Sequence, residues 1–265
     1  MAKIGFIGMG NMAGAIMKGS LKTFAPEDII FFDANAAQAE KVTAETGVQH
    51  VSSNIELVNQ VKYIIFAVKP QVLPAVMAEL KGTIRNDQVV MSIAAGFGIA
   101  DLTEGLGDQV RVVRIMPNTP ALVGEGMSGV AYDAAKFNDE EKEMVKTIFT
   151  SIGKMELVPE NMMDVVASAS GCSPAYVYMF IEALADGCVK NGLPRALAYK
   201  MVSQAVLGSA KMVLETGMHP GELKDMVCSP GGTTIEGLAA LEENNFRGAI
   251  IKACDANFQK NKLLK

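Results

Sequence analysis

Five short apolar runs punctuate the first part of the chain: KIGFI at 3–7, IIFFD at 29–33, YIIFAV at 63–68, VVMSI at 89–93 and VRVVRIM at 110–116. Each is rich in β-branched or aromatic residues and lacks polar alternation. Such runs suit strands buried on both faces, as in a parallel sheet covered by helices. Between them, AAQAEKVTAETG and LPAVMAELKG carry helical periodicity, with Gly47 and Gly82 where those helices should stop. VAYD and MELV, near 130 and 155, predict two further strands. Repeated strand–helix units imply right-handed crossovers and a doubly wound sheet. After about residue 160 the pattern changes. AYVYMFIEALADGCVKNG, PRALAYKMVSQAVLGSAKMVLETG and FRGAIIKACDANFQKNKLL are helical throughout, the second with Pro194 in its first turn and Gly217 at its end. The chain should therefore be α/β, with a doubly wound sheet over residues 1–160 and an all-helical lobe over 161–265. The apolar faces of those last helices are wide, which predicts burial against another subunit.

Composition narrows the classes. Apolar residues make up 49% and charged ones 20%, enough for a real core and too apolar for disorder. A net charge of −5 argues against general nucleic-acid binding. No charged-then-apolar leader opens the sequence, which points to the cytoplasm. The four cysteines, at 172, 188, 228 and 254, lack metal-clip spacing and read as reduced thiols, so no metal site is expected. Residues 165–181 carry no charge and approach the lower limit of a membrane span, but they include Gly171 and Pro174. A helix buried on all sides, between subunits, is the preferred reading.

The opening stretch GFIGMGNMAGAI has the spacing G-x-G-x-x-A between a strand and a helix. Gly8 suits a tight turn, Gly10 admits the backbone close to a pyrophosphate, and Ala13 and Gly14 let the helix pack on the sheet. The helix N-terminus then offers free N–H groups to phosphate. Asp33 closes the second run, where an acid accepts the ribose hydroxyls of a dinucleotide. With no Arg in DANAAQAEK, that acid leans towards NADH over NADPH. The first lobe is thus expected to be of the Rossmann type. A bare strand–helix turn, or an ordinary strand-end Asp, is the bland alternative.

Ligands of open sheets bind beyond the carboxyl ends of the strands. AVKPQ, SIAAG and RIMPNTP lie there. Lys69 precedes a proline and could meet a phosphate or a carboxylate; an exposed lysine with no task is the alternative. Asn118, between two prolines, marks a rigid turn. In the second lobe, CSPGGTTIEGL breaks the helices and starts a new one at Thr233, with Glu236 in its first turns. This loop offers N–H groups and hydroxyls to a small carboxylate, or is simply a capped connection. His50 and His219, the carboxylates Glu182 and Asp186, and the 17 methionines read as structural.

GFIGMGNMAGAI, AVKPQ, IMPNTP, SGCSPAYVYMFIEALADG and above all HPGELKDMVCSPGGTTIEGL together resemble the pyrroline-5-carboxylate reductases, in order and over nearly the whole chain. The resemblance implies reduction of Δ1-pyrroline-5-carboxylate to L-proline with NADPH or NADH. It implies a Rossmann domain, a helical dimerisation domain and dimers that assemble further into decamers. It also implies site residues. Ile7, Gly8, Met9, Gly10, Asn11 and Met12 would hold the pyrophosphate. Asn54, Ala67, Val68 and Lys69 would contact the cofactor, with Ile93, Ala94 and Ala95 near the nicotinamide. Glu160, Ser229, Gly231, Gly232, Thr233 and Thr234 would surround the substrate, with the Thr234 hydroxyl nearest the ring as the catalytic group. Two positions depart from the pattern: Cys172 stands where serine is common, and Met226 where some members carry a cofactor-touching asparagine.

Two rivals stand beside this reading. A β-hydroxyacid dehydrogenase related to 6-phosphogluconate dehydrogenases has a similar opening loop, but needs a catalytic lysine that SGCSPAYVYMF does not offer. A dinucleotide-sensing dimer would need no second anion pocket.

Overall fold

The computed structural model describes residues 3–263. The elements run β1 Ile4–Ile7, α1 Asn11–Ser20, β2 Ile29–Phe32, α2 Ala36–Thr46, β3 Gln49–His50, α3 Asn54–Gln60, β4 Tyr63–Phe66, α4 Leu73–Leu80, β5 Val89–Ser92, α5 Ile99–Leu106, β6 Arg111–Met116, β7 Gly126–Ala131, α6 Asp139–Thr150 and β8 Gly153–Leu157. A short helix α7, Met163–Val166, passes into a π-helical turn, Ala167–Gly171. Five helices follow: α8 Ser173–Lys190, α9 Arg195–Thr216, α10 Pro220–Met226, α11 Thr233–Glu243 and α12 Phe246–Lys262. By contacts the chain forms two compact units, divided between Cys172 and Ser173, with the chain from Phe258 onward counted in the first.

The first unit is an eight-stranded sheet in the order β3-β2-β1-β4-β5-β6-β7-β8. The five expected runs are all strands, and β1 to β6 pair in parallel. Their side chains alternate between two cores, one on each face of the sheet. Phe6, Phe31, Ile65, Met91 and Val113 pack with α1, α2 and α6 on one face. Ile7, Ile30, Ile64, Val90 and Val112 pack with α3, α4 and α5 on the other. Two-faced burial is why these strands read as unbroken apolar runs. The two later strands begin earlier than VAYD and MELV suggest. β7 also runs antiparallel to β6, because a 3-10 turn at Thr119–Val123 joins them and is too short for a crossover.

In the second unit, α8 and α9 pack through Ala185, Ala198 and Val202. The Tyr176 hydroxyl donates to the Ala253 carbonyl at 3.4 Å, and Phe180 meets Phe246 with ring centroids 6.3 Å apart, joining α8 to α12. Pro194 proves to be the N-cap of α9 and not part of its first turn, while Gly217 ends it in the left-handed conformation. The uncharged stretch 165–181 is not one continuous helix. The π-turn interrupts it at Gly171, and beyond the turn Tyr178 and Met179 are 58% and 73% exposed in the single chain. Among the described residues no helix is long and apolar enough to cross a membrane.

Candidate active site

Strand order reverses between β1 and β4, and a crevice opens there past their carboxyl ends. Register brings the candidate residues together. Phe32, Ile7 and Phe66 lie level on β2, β1 and β4. Each ladder extends one bond further: Gly8 N–H donates to Phe32, Ala67 N–H to Ile7 and Ile93 N–H to Phe66, at 2.8, 2.9 and 3.1 Å. The segments beginning at Asp33, Gly8, Ala67 and Ile93 therefore leave the sheet side by side. A cavity of about 580 Å³ lies among the first three, and Asn54 also lines it.

Gly8 has φ of +90°, and a Cβ there would come within 2.9 Å of the Ala67 carbonyl and of Val68. Only glycine makes that turn without strain. At Gly10 the opposite holds: an added Cβ would meet nothing within 4 Å. The space in front of Gly10 is open, which is what a closely approaching phosphate requires. Gly10 is also the N-cap of α1 and no side chain caps it, so the first N–H groups, from Asn11 and Met12, point out unfilled. The chain thus offers the cradle that a dinucleotide pyrophosphate fits.

Asp33 braces this loop. One carboxylate oxygen accepts from Met9 N–H at 2.7 Å and the other from Asn35 N–H at 2.8 Å. Each oxygen retains a lone pair for a ribose hydroxyl. Gln38 adds a bond the sequence did not announce, its amide donating to the Met9 carbonyl at 3.1 Å. Val72, the N-cap of α4, and Val76 and Glu79 within it were missed as well; spaced i, i+4 and i+7, they line the same cavity. Lys69 is exposed beside it. Ala94 is buried, its N–H bonded to the Ser92 hydroxyl, and Ala95 packs with Met116 and Met163.

Glu160 accepts from Ile99 N–H at 2.5 Å at the start of α5 and lies 3.8 Å from the buried Arg114. Arg114 also pairs with Asp164 at 3.1 Å. Asn118 ties its turn in place, accepting from Met127 N–H and donating to the Ser170 carbonyl.

In the second unit, Gly232 N–H bonds the Ser229 carbonyl at 3.0 Å, closing a turn. Gly232 is the N-cap of α11 with no side-chain cap, and Glu236 sits in the first turn. A Cβ on Gly232 would lie 2.4 Å from the Ser229 hydroxyl oxygen, so the hydroxyl, the loop amides and Thr233 and Thr234 are crowded at one helix start. All but Gly232 are exposed. Met226, at the end of α10, is 69% exposed, and Cys172 ends the π-turn. His219 caps α10 and His50 contacts Thr43, both structural. Asp186 pairs with Arg195. All four cysteines are free thiols, and among the described residues no His, Cys, Asp and Glu cluster has metal-binding geometry.

Comparison with known proteins covers both lobes. A family model for pyrroline-5-carboxylate reductase dimerisation matches residues 160–264, and one for coenzyme F420-dependent NADP oxidoreductases matches residues 3–96. A pyrroline-5-carboxylate reductase of Escherichia coli K12 is 45% identical over 99% of this chain and 98% of its own. The reductase of Methanosarcina acetivorans is 42% identical, over 99% and 97%. A solved Plasmodium falciparum pyrroline carboxylate reductase with NADP bound superposes with a TM-score of 0.89, at 35% identity over 99% of this chain and 98% of that one.

Proposed function

The chain belongs to the pyrroline-5-carboxylate reductase family, and from that premise we propose how its residues divide the work. It is an NAD(P)H-dependent oxidoreductase that reduces 1-pyrroline-5-carboxylate to L-proline, the last step of proline biosynthesis. The dehydrogenase alternative gives way to full-length identity of 40% and more with reductases. The observation that carries the site assignment is the open, uncapped cradle at Gly10, beside the Asp33 brace.

Ile7 to Met12, with Asp33, Asn54 and residues 67–69, hold the dinucleotide, and residues 93–95 lie by its nicotinamide. When bound, the dihydronicotinamide supplies a hydride to C5 of the ring imine. The amides of Gly232, Thr233 and Thr234 and the Ser229 hydroxyl grip the substrate carboxylate. Thr234 hydrogen-bonds the ring nitrogen, which arrives protonated and leaves as the amine. Glu160 completes the substrate surroundings. Such alignment lowers a barrier by several kcal/mol without a strong acid or base. Residues 161–265 form the dimerisation and substrate domain of a cytoplasmic homodimer, with the decamer as its further assembly.

The test is cofactor oxidation, followed by absorbance, with pyrroline-5-carboxylate and either NADH or NADPH. Rapid oxidation is expected. A folded protein that binds the cofactor but turns over only small hydroxyacids would return the reading to the dehydrogenases.

A further inference from the structure

The segment that leaves β5, residues 93–98, is pinned at both ends. At its start Ile93 N–H donates to the Phe66 carbonyl at 3.1 Å and Ala94 N–H to the Ser92 hydroxyl at 3.3 Å. At its end Gly98 N–H donates to Asp101 at 2.7 Å, and Ile99 N–H, the first of α5, donates to Glu160. Glu160 belongs to the 3-10 turn Glu160–Met162 beyond β8, so this cap comes from a distant part of the chain and must itself be held in place. Arg114 stands where it can hold it. It lies level with Ser92 across the β5–β6 pair and is buried. Its Nη1 is 3.8 Å from the Glu160 oxygen that caps α5, and its Nη2 donates to Asp164 on α7 at 3.1 Å. The Asn261 amide donates to the same Asp164 oxygen at 3.3 Å and steadies the far arm. Pairing a buried charge at best offsets its desolvation, so stability is a poor account of an arginine here. What only the guanidinium offers is a planar fork that spans two carboxylates at once.

We propose that Arg114 is a positioning residue for hydride transfer: it fixes the Glu160 cap on α5 and thereby sets residues 93–98, along which the nicotinamide lies. The proposal rests on the reading that puts residues 93–95 beside the nicotinamide. Arg114 touches neither cofactor nor substrate in this account. It acts through Glu160, and the cost of losing it is a misplaced ring and not a lost contact.

The experiment is single-turnover oxidation of NADPH by rapid mixing, with enzyme in excess and saturating pyrroline-5-carboxylate. The amplitude counts folded, active molecules, and the rate constant reads the reaction in those molecules alone. Arg114→Lys keeps a cation for Asp164 and loses the fork. Glu160→Gln keeps an oxygen for Ile99 N–H and loses the pull of Arg114. Arg114→Lys is expected to slow the rate constant about ten-fold. Because the two residues act as one unit, the double variant should be no slower than the slower single variant. A lower amplitude at an unchanged rate constant would make Arg114 merely structural and overturn the proposal, and so would single effects that multiply in the double variant. Ile93→Ala separates the two levels. If it slows the rate constant while Arg114→Lys does not, only the role of Arg114 falls. If Ile93→Ala leaves the rate constant unchanged, residues 93–95 do not lie by the nicotinamide and both readings fall.

Discussion

Phe6, Phe31, Phe66 and Phe149 are wholly sealed inside the first unit, on the two faces of one sheet. In the second unit the buried apolar residues are Ala185, Ala198 and Val202, while Met179 and Leu214 are 73% and 82% exposed. Leu207, Met212, Ile250 and Ile251 are exposed too. So many large apolar side chains left exposed on one helical lobe point to an interaction surface. The first lobe carries its own core. The helical lobe, which matches the dimerisation family model, leaves much apolar surface uncovered in the single chain, and the loop at 228–238 sits on that scaffold. Stability in the first lobe should therefore be a property of the single chain, and stability in the second a property of concentration.

The largest effect expected is on the sealed side. Phe31→Ala opens a cavity on a fully buried site and should cost about 3–5 kcal/mol. Thermal unfolding would show the loss equally at high and low protein concentration. On the open side, Met179→Glu puts a charge into the exposed apolar face of α8, where a partner is expected to dock. Sedimentation should show dimers giving way to monomers on dilution, with roughly 2–3 kcal/mol of association lost. If Met179→Glu instead lowered the melting temperature independently of concentration, the contrast between the lobes would collapse.

Thr234→Ala sharpens the comparison from the side of chemistry. The residue is exposed in the single chain, so its loss should leave the melting temperature alone. Removing one aligned hydrogen bond should cut kcat/KM about 10- to 100-fold, on the order of 2 kcal/mol. Unchanged efficiency would remove Thr234 from the reacting centre.

The same contrast explains what could be read along the chain. Strands buried on both faces announce themselves as apolar runs, so β1, β2, β4, β5 and β6 were legible. β7 was displaced because its sequence, GMSGVA, is dictated by packing and not by strand propensity. A Cβ at Gly129 would lie 2.5 Å from Val166, so a position that strand propensity would fill with a branched residue must stay bare. The glycine loop and Asp33 were legible because their spacing is tied to one strand–helix–strand unit. Glu79 was not, because only the strand order brings α4 beside that loop. The wide apolar helices predicted a partner, but not that residues 165–181 would break at a π-turn.

The smallest effect concerns a charge held inside the first lobe. Glu141, 2% exposed, accepts from Arg111 at 2.6 Å and lies 3.3 Å from Lys62. Burial works against its charge, but the Arg111 guanidinium, the Asn138 N–H and Lys62 outweigh it and hold the carboxyl below the usual range. A carboxyl with a depressed folded pKa contributes stability above its unfolded pKa, about 4.3, and that contribution fades as pH falls through the folded value. Glu141→Gln keeps much of the hydrogen bonding and gives up the charge, at a cost of about 1 kcal/mol near pH 7. Denaturant unfolding of the two proteins from pH 7 to 3 should show curves that converge as the acid is protonated. The gap should not depend on protein concentration, since Glu141 belongs to the lobe that needs no partner. A gap that instead persisted undiminished at pH 3 would mean that the shape of the side chain, and not its charge, matters at this site.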